Sequence, residues 1–295
     1  LPGESYNSFI AGLDTLLHAG QHSQIYVYNC TVLGNSEMSS PQYIEDHKIK
    51  TMEIPIFQAH ADIKTSTQVQ ETESIIIETK TMPSQDWKRS SQCSWTIQAF
   101  HTMGLAFVNT YNCNYSDFYT ALLEYALENP NSLLGIELKN TQDSLDRILD
   151  GKQYGQTVPS YGLDIFWPPE EASFLRVLEN IDTFYEESAG FMRHFLKKFN
   201  LPIDEKFLNN LIELQKEIMV HYDDKGQEFS LSLDYNLDDY VRDIQNGLST
   251  ELIKYNDPKI CTISKFWGET GDKKEFARNI VWYGRKGGHF INKFV

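Results

Sequence analysis

Cysteine is scarce in this chain: four in 295 residues, Cys30, Cys93, Cys113 and Cys261. No two of them lie at a spacing that a metal site would use, and so thin a supply does not build a disulfide framework. Free thiols in a reducing compartment are the expectation, with the cytoplasm as the default location. Positive charge is short as well, since 26 basic residues against 41 acidic ones leave a net charge of -15. Nonspecific binding to nucleic acid or to an anionic membrane needs the opposite sign, so neither is expected as a partner. No apolar run approaches the roughly 18 residues that a membrane-crossing helix requires, and no basic-then-apolar segment opens the sequence. There is no nucleophile elbow, no metal-binding helix motif and no fixed-period repeat, so a hydrolase has no support.

What is present reads as globular: 41% hydrophobic and 13% aromatic residues, enough chain for one large or two modest domains. The opening stretch organises the rest. After the turn Pro2-Gly3-Glu4-Ser5, residues Phe9, Ile10, Leu13, Leu16 and Leu17 recur at helical spacing, which predicts a helix over 6–19 closed by Gly20. Ile25 to Leu33 is then apolar and β-branched on both faces, the pattern of a strand buried in a parallel sheet. Turn, helix and buried strand make half of a βαβ unit whose first strand would precede residue 1, so the chain is expected to be cut.

These residues carry a resemblance. The turn Leu1-Pro2-Gly3-Glu4-Ser5, the helix, and the strand ending in Leu33-Gly34-Asn35-Ser36-Glu37-Met38 are similar to the late part of the radical S-adenosylmethionine enzymes, more narrowly their cobalamin-binding-domain branch. The resemblance covers about the first 60 residues. It implies an α/β fragment, the last βα units of a partial TIM-like barrel, followed by a mainly helical domain. The Pro-Gly-Glu turn would follow the fifth barrel strand beside S-adenosylmethionine, and Ile25 to Leu33 would be the sixth strand. Two departures stand out. Gly34 occupies a position where family members often have proline, and the C-x-x-x-C-x-x-C motif is absent. That motif matters because three thiolates leave one iron of the cluster open to the cofactor. S-adenosylmethionine, an iron-sulfur cluster and cobalamin are therefore implied for the parent enzyme, none of them held by this chain alone. The expected partners are a small-molecule substrate and the missing N-terminal region.

By that resemblance Pro2, Gly3, Glu4, Asn29 and Asn35 are the candidate cofactor-binding residues, and Tyr28 and Cys30, beside the strand end, are candidates for substrate. Arg285 and Lys286 join them because they form the one basic, glycine-rich cluster in an acidic chain, suited to a phosphate or carboxylate. Each has a plainer reading: an ordinary turn, a strand whose polar groups are satisfied internally, and a helix end whose basic residues balance the dipole. His18 and His22, His60 with Asp62, and His101 lack a third ligand, so no metal site is expected.

The division is 1–60 for the barrel part, 61–85 for a connection with a short strand at Ile75-Ile76-Ile77, and 86–295 for a helical accessory domain. Within the last, helices are predicted from Asp86, over 116–128 and 132–149, from Pro168 through Phe199, and over 204–220 and 273–283. An aromatic loop spans Gly151 to Trp167, Phe229 to Leu233 alternates as a strand, and Asn236 is expected to cap a short helix. The competing function is a non-catalytic helical binding or scaffold domain.

Overall fold

Most helix starts follow from a single capping side chain. In the computed structural model, which describes residues 2–22, 25–63, 70–106, 110, 113–245, 248, 250–267, 271–283 and 292–294, Ser5 accepts from Ser8 N at 3.2 Å to open helix α1 (Tyr6–His18). Ser40 does the same for α2 (Pro41–His47). Helix α3 (Ser84–Thr96) begins after Pro83, and Asp86 sits in its first turn instead of capping it. It runs on into a π-helical turn, Ile97–Thr102. Asn114 caps α4 (Tyr115–Glu128) and Ser132 caps α5 (Leu133–Leu149). The helix predicted from Pro168 through Phe199 is two, α6 (Pro169–Glu179) and α7 (Ile181–Lys198). The break falls at Asn180, whose side-chain amide donates back to Arg176 O at 3.0 Å and so competes with helix continuation. Asp204 opens α8 (Glu205–Ile218), α9 covers Leu237–Gln245, and Asp272 opens α10 (Lys273–Phe276), which passes into a π-helical segment, Ala277–Tyr283. Asn236 precedes α9, but its side chain serves the incoming chain, donating to Glu251 O and accepting from Ile253 N.

Two small sheets accompany the helices. Strands β1 (Lys50–Pro55) and β2 (Thr72–Glu78) pair antiparallel. The sequence division predicts no strand at 50–55, and in the structure Ile54 is the one buried residue of that strand. Residues 25–33 lie extended alongside β2: Ile76 N donates to Cys30 O at 2.8 Å, Val32 N to Ser74 O at 2.9 Å, and Thr31 bridges Ile75 in antiparallel sense. Burial on both faces does not follow, since Ile25 is covered while Tyr28 is 82% and Leu33 60% exposed. Strand β3 (Lys225–Tyr235) pairs with β4 (Lys254–Phe266), which pairs with β5 (Asn292–Phe294). The β4 strand is hidden in the sequence by Asp257-Pro258, a turn signal that the sheet tolerates beside an irregularity in register between Leu233 and Tyr235.

The opening helix does not stand apart. Leu13 and Leu17 of α1 are buried in the same apolar core as Phe100, Phe118, Trp167 and Phe191. A smaller cluster of Ile54, Ile75, Met82, Trp87, Leu145 and Ile148 fastens the β1–β2 hairpin to α3 and α5. Gly135, in the first turn of α5, is sterically required: a Cβ there would lie 2.2 Å from Asn129 O and 2.7 Å from Pro130 Cα, backbone atoms that cannot move aside. Among the described residues no helix is long and apolar enough to cross a membrane.

Candidate functional site

A cavity of about 670 Å³ opens where the extended segment 26–31, β2, α3, α5 and the start of α6 meet. The volume suits a small organic ligand. From α3 and its π-helical extension come Ser90, Ser94, Trp95 and Gln98; from α5 come Thr141 and Ser144. These residues fall on one side of each helix because they recur every three or four positions. Gln98 ties the two sides together, since its Nε2 donates to Ser94 Oγ at 2.9 Å while its Oε1 accepts from Val27 N at 3.5 Å.

The charged groups on the cavity wall, among the described residues, are carboxylates, with Glu4, Glu73, Glu78, Glu170 and Glu171 beside a single imidazole, His60. Glu73 is fixed by the hydroxyl of Thr31 at 2.9 Å and by Phe57 N at 3.4 Å. Glu78 pairs with Lys50 at 2.6 Å. Tyr154 lies against Phe57 with ring centroids 4.5 Å apart. Its phenol is held well above the ordinary tyrosine range by burial and then by the Glu170 and Glu73 charges, against which a hydrogen bond from Asn29 works weakly. Tyr154 is therefore a neutral hydroxyl in the wall.

His60 is the most constrained of these groups. Its Nε2 lies 2.6 Å from Glu171 Oε2, with both side chains 5% exposed. The ring stacks on Trp282, centroids 4.6 Å apart at 24°, and meets the Trp167 edge at 5.1 Å. Its backbone has φ +65, unusual for a residue with a side chain. The conformation is enforced by the antiparallel pairing of this loop with the aromatic loop: His60 N donates to Phe166 O, Phe166 N to Ala61 O, and Ile63 N to Asp164 O.

Of the residues singled out in the sequence, Glu4, Tyr28, Asn29 and Cys30 all line this cavity. The Ser8 hydroxyl bonds the Glu4 carboxylate, and Thr81 Oγ1 donates to Glu4 O at 2.6 Å, which anchors the turn to the end of the β1–β2 hairpin. Pro2 and Gly3 form the turn itself outside the lining, with Gly3 at φ +94. Asn35 is exposed in the turn after the extended segment and does not reach the cavity. Arg285 and Lys286 lie outside the described residues. The sequence offers Tyr154 only as part of an aromatic loop that could line a pocket or wrap a core, gives Glu171 and Trp282 no part in this site, and weighs His60 only as a metal ligand. One signal was present: Trp87, Ser90, Ser94 and Gln98 make a polar-aromatic stripe about a quarter-turn from the apolar phase of Cys93, Ile97 and Phe100.

A second buried polar group lies inside the helical core. His22 Nδ1 is 2.9 Å from His101 Nε2, and His101 Nδ1 is 2.7 Å from the Tyr119 hydroxyl. Burial first, then the charge of His18 for His22 and that of His22 for His101, lower both histidines from the ordinary range. Neutral imidazoles are the result. Burial likewise pushes the thiols of Cys93 and Cys113 up to about 12 and that of Cys261 to about 11, so these three are inert as nucleophiles or thiolate ligands at neutral pH. No group of three or more histidine, cysteine or acidic side chains suited to a metal occurs among the described residues.

No protein-family profile matches the chain. It is similar to the cobalamin-dependent radical SAM methyltransferase TokK of Streptomyces tokunonensis, 23% identical across 100% of this chain and 46% of that protein. It is similar also to the 2-(S-pantetheinyl)-carbapenam-3-carboxylate methyltransferase of Streptantibioticus cattleyicolor, 23% identical across 65% of this chain and 30% of that protein. The chain thus spans less than half the length of the curated relatives it matches. The first similarity runs through the helical part as well as the opening turn, helix and extended segment. Both relatives are methyltransferases, the first a cobalamin-dependent radical SAM enzyme, which agrees with the resemblance carried by the opening turn, helix and extended segment; the three-cysteine cluster motif is not among the residues present.

Proposed function

We propose that this chain builds the substrate chamber of a cobalamin-dependent radical S-adenosylmethionine methyltransferase that acts on a small molecule. Residues 1–60 are read as the last βα units of a partial TIM-like barrel, 61–85 as the connection and 86–295 as a helical domain closing the chamber. The observation that carries this is the cavity. Glu4, Tyr28, Asn29 and Cys30, from the stretch that resembles the family, share one partly open cavity with side chains of α3, α5 and α6. A scaffold domain would have no need of such a space lined by fixed polar groups.

The cysteines of this chain do not fit an iron-sulfur cluster: they are scattered, and three of the four carry thiols pushed up by burial. The cluster and cobalamin are therefore assigned to residues outside this chain. What its own residues contribute is shape, exclusion of water and fixed hydrogen bonds to substrate, with Gly3 and Glu4 on the side that borders S-adenosylmethionine. In the full-length enzyme, Asn29→Ala is expected to lower methyl transfer by about tenfold, a lost hydrogen bond to Tyr154 of about 1 kcal/mol plus misplacement of that ring, while uncoupled cleavage of S-adenosylmethionine continues. If Asn29→Ala leaves methyl transfer unchanged, the cavity is not the chamber. If this 295-residue chain, reconstituted anaerobically with iron and sulfide, binds a stoichiometric cluster and cleaves the cofactor, the division of labour is wrong.

A further inference from the structure

We propose that Ser144 presents an oriented hydroxyl donor to the cavity, seconded by Ser94, and so selects a ligand that carries a carbonyl oxygen there. The inference rests on reading the cavity as the substrate chamber, and goes beyond it by naming a specificity-determining residue and the group it takes.

The direction of each hydrogen bond around Ser144 follows from its partners. Arg176 can only donate, and its guanidinium reaches one end of the Gln156 amide at 2.6 Å, so that end is the oxygen and the other the nitrogen. The nitrogen gives one hydrogen to Asn140 O at 3.1 Å and the other to Ser144 Oγ at 3.0 Å. An amide nitrogen does not accept, so the Ser144 hydroxyl accepts here and its own proton points elsewhere. Ser144 is 3% exposed, lines the cavity and donates to no described residue. A buried O–H without an acceptor is costly, and a ligand that supplies one gains at this point.

Behind Ser144 the network ends in an ion pair. Glu137 holds Arg176 by two hydrogen bonds at 2.8 and 2.6 Å, and Arg176 in turn polarises the Gln156 amide. Hydrogen bonds in such a chain strengthen one another, so the Ser144 proton is a better donor than that of an isolated serine. Ser94 repeats the arrangement on α3 without the cation. Val27 N can only donate, which makes its partner the Gln98 oxygen, and Gln98 Nε2 donates to Ser94 Oγ at 2.9 Å. Ser94 is 4% exposed, lines the cavity and likewise donates to no described residue. The neighbouring hydroxyls of the lining differ: Thr141 donates back to Glu137 O at 3.1 Å, and Ser90 is turned to the Met82 sulfur at 3.9 Å.

The test uses full-length protein and two probes of nearly one shape, acetophenone and α-methylstyrene, in which a methylene replaces the carbonyl oxygen. Acetophenone is expected to bind about tenfold more tightly, with its carbonyl stretch lowered in ¹³C-edited infrared difference spectra. Ser144→Ala should erase that preference and the lowering of the stretch. Gln156→Glu keeps the shape but offers only acceptors, so the Ser144 hydroxyl should turn to it and the preference should vanish with Ser144 still in place. Thermal unfolding checks that both variants are folded. The inference is overturned if α-methylstyrene binds as well as acetophenone, if binding leaves the carbonyl stretch unmoved, or if either folded variant keeps the preference. None of these readouts requires cluster, cobalamin or turnover. Methyl transfer unchanged in Asn29→Ala would sink the proposed function and leave a carbonyl site here, whereas equal binding of the two probes would sink this inference and leave the chamber.

Discussion

The two walls of the cavity are built to different standards. Behind it, α3, α5 and α6 bury most of their apolar side chains and satisfy polar groups through fixed side-chain bonds to one another and to α7. Trp95 Nε1 donates to Ser173 Oγ at 3.0 Å, Glu187 of α7 accepts from the first amides of α5, and Arg176 grips Glu137 with two hydrogen bonds. In front, residues 26–33 and the β1–β2 hairpin leave Tyr28, Leu33 and Ile56 exposed at 82%, 60% and 44%. Isolated exposed apolar side chains are ordinary, but the contrast has a consequence. Stability resides in the helical wall, so changes there should act through folding, whereas changes in the front wall should act through ligand binding.

The largest test of that contrast lies in the helical wall. Glu137 Oε1 and Oε2 accept from Arg176 at 2.8 and 2.6 Å, and the guanidinium also reaches Gln156 Oε1 at 2.6 Å. The Glu137 side chain is 2% exposed and that of Arg176 22%. Glu137→Ala removes one partner of a mostly buried pair and leaves the cation poorly compensated, which costs about 3 kcal/mol. Urea unfolding should register that loss, and Glu137→Leu with Arg176→Met should recover much of it. A loss under about 1 kcal/mol would mean that the pair behaves like a surface ion pair, and the contrast between the walls would fade.

A smaller effect is set by pH. His22 and His101 are held neutral by burial, with folded pKa values below the unfolded value of 6.5. The unfolded chain binds more protons, so their contribution is complete above about pH 6.5 and is lost as pH falls, at up to ~1.4 kcal/mol per pH unit for each residue. His221 is also lowered, by burial, though Asp223 and Asp224 oppose that shift. Urea midpoints measured at successive pH values below neutrality should fall steeply in the native chain and less steeply in His101→Gln, whereas His221→Gln should change the slope less. Equal slopes in the native chain and His101→Gln would show that the histidine pair does not govern acid sensitivity.

The same contrast explains what could be read from the sequence. Helices α1, α4, α5 and α8 are legible because their starts depend on one local hydrogen bond, from Ser5, Asn114, Ser132 and Asp204, and their faces on spacing within a dozen residues. Much of the front wall depends on partners far along the chain. Residues 25–33 are apolar whichever way they are covered, and what sets their exposure is β2, more than 40 residues on at Thr31↔Ile75. The candidate site divides likewise. Glu4 and Asn29 were identified through a local motif, while His60 meets Glu171 across 111 residues, a pairing that no spacing encodes. Tyr154 stayed hidden because an aromatic loop covering a core and one lining a cavity have the same composition.

The smallest stability effect should sit where the front wall is most open. Tyr28 is 82% exposed, its ring stacked on Tyr26 at 6.1 Å, and it lies on the cavity rim without joining the core. Tyr28→Ser removes little buried area, so unfolding free energy should stay within about 0.5 kcal/mol of the native value. An aromatic rim still covers a bound ligand, and its loss is expected to raise the substrate KM of the full-length enzyme several-fold, on the order of 1 kcal/mol, with kcat nearly unchanged because no reacting group is moved. A stability loss above about 1 kcal/mol would place Tyr28 in the folding core and erase the distinction between the walls. An unchanged KM would leave the distinction standing but move the ligand deeper, towards Tyr154 and His60, where the wall is rigid.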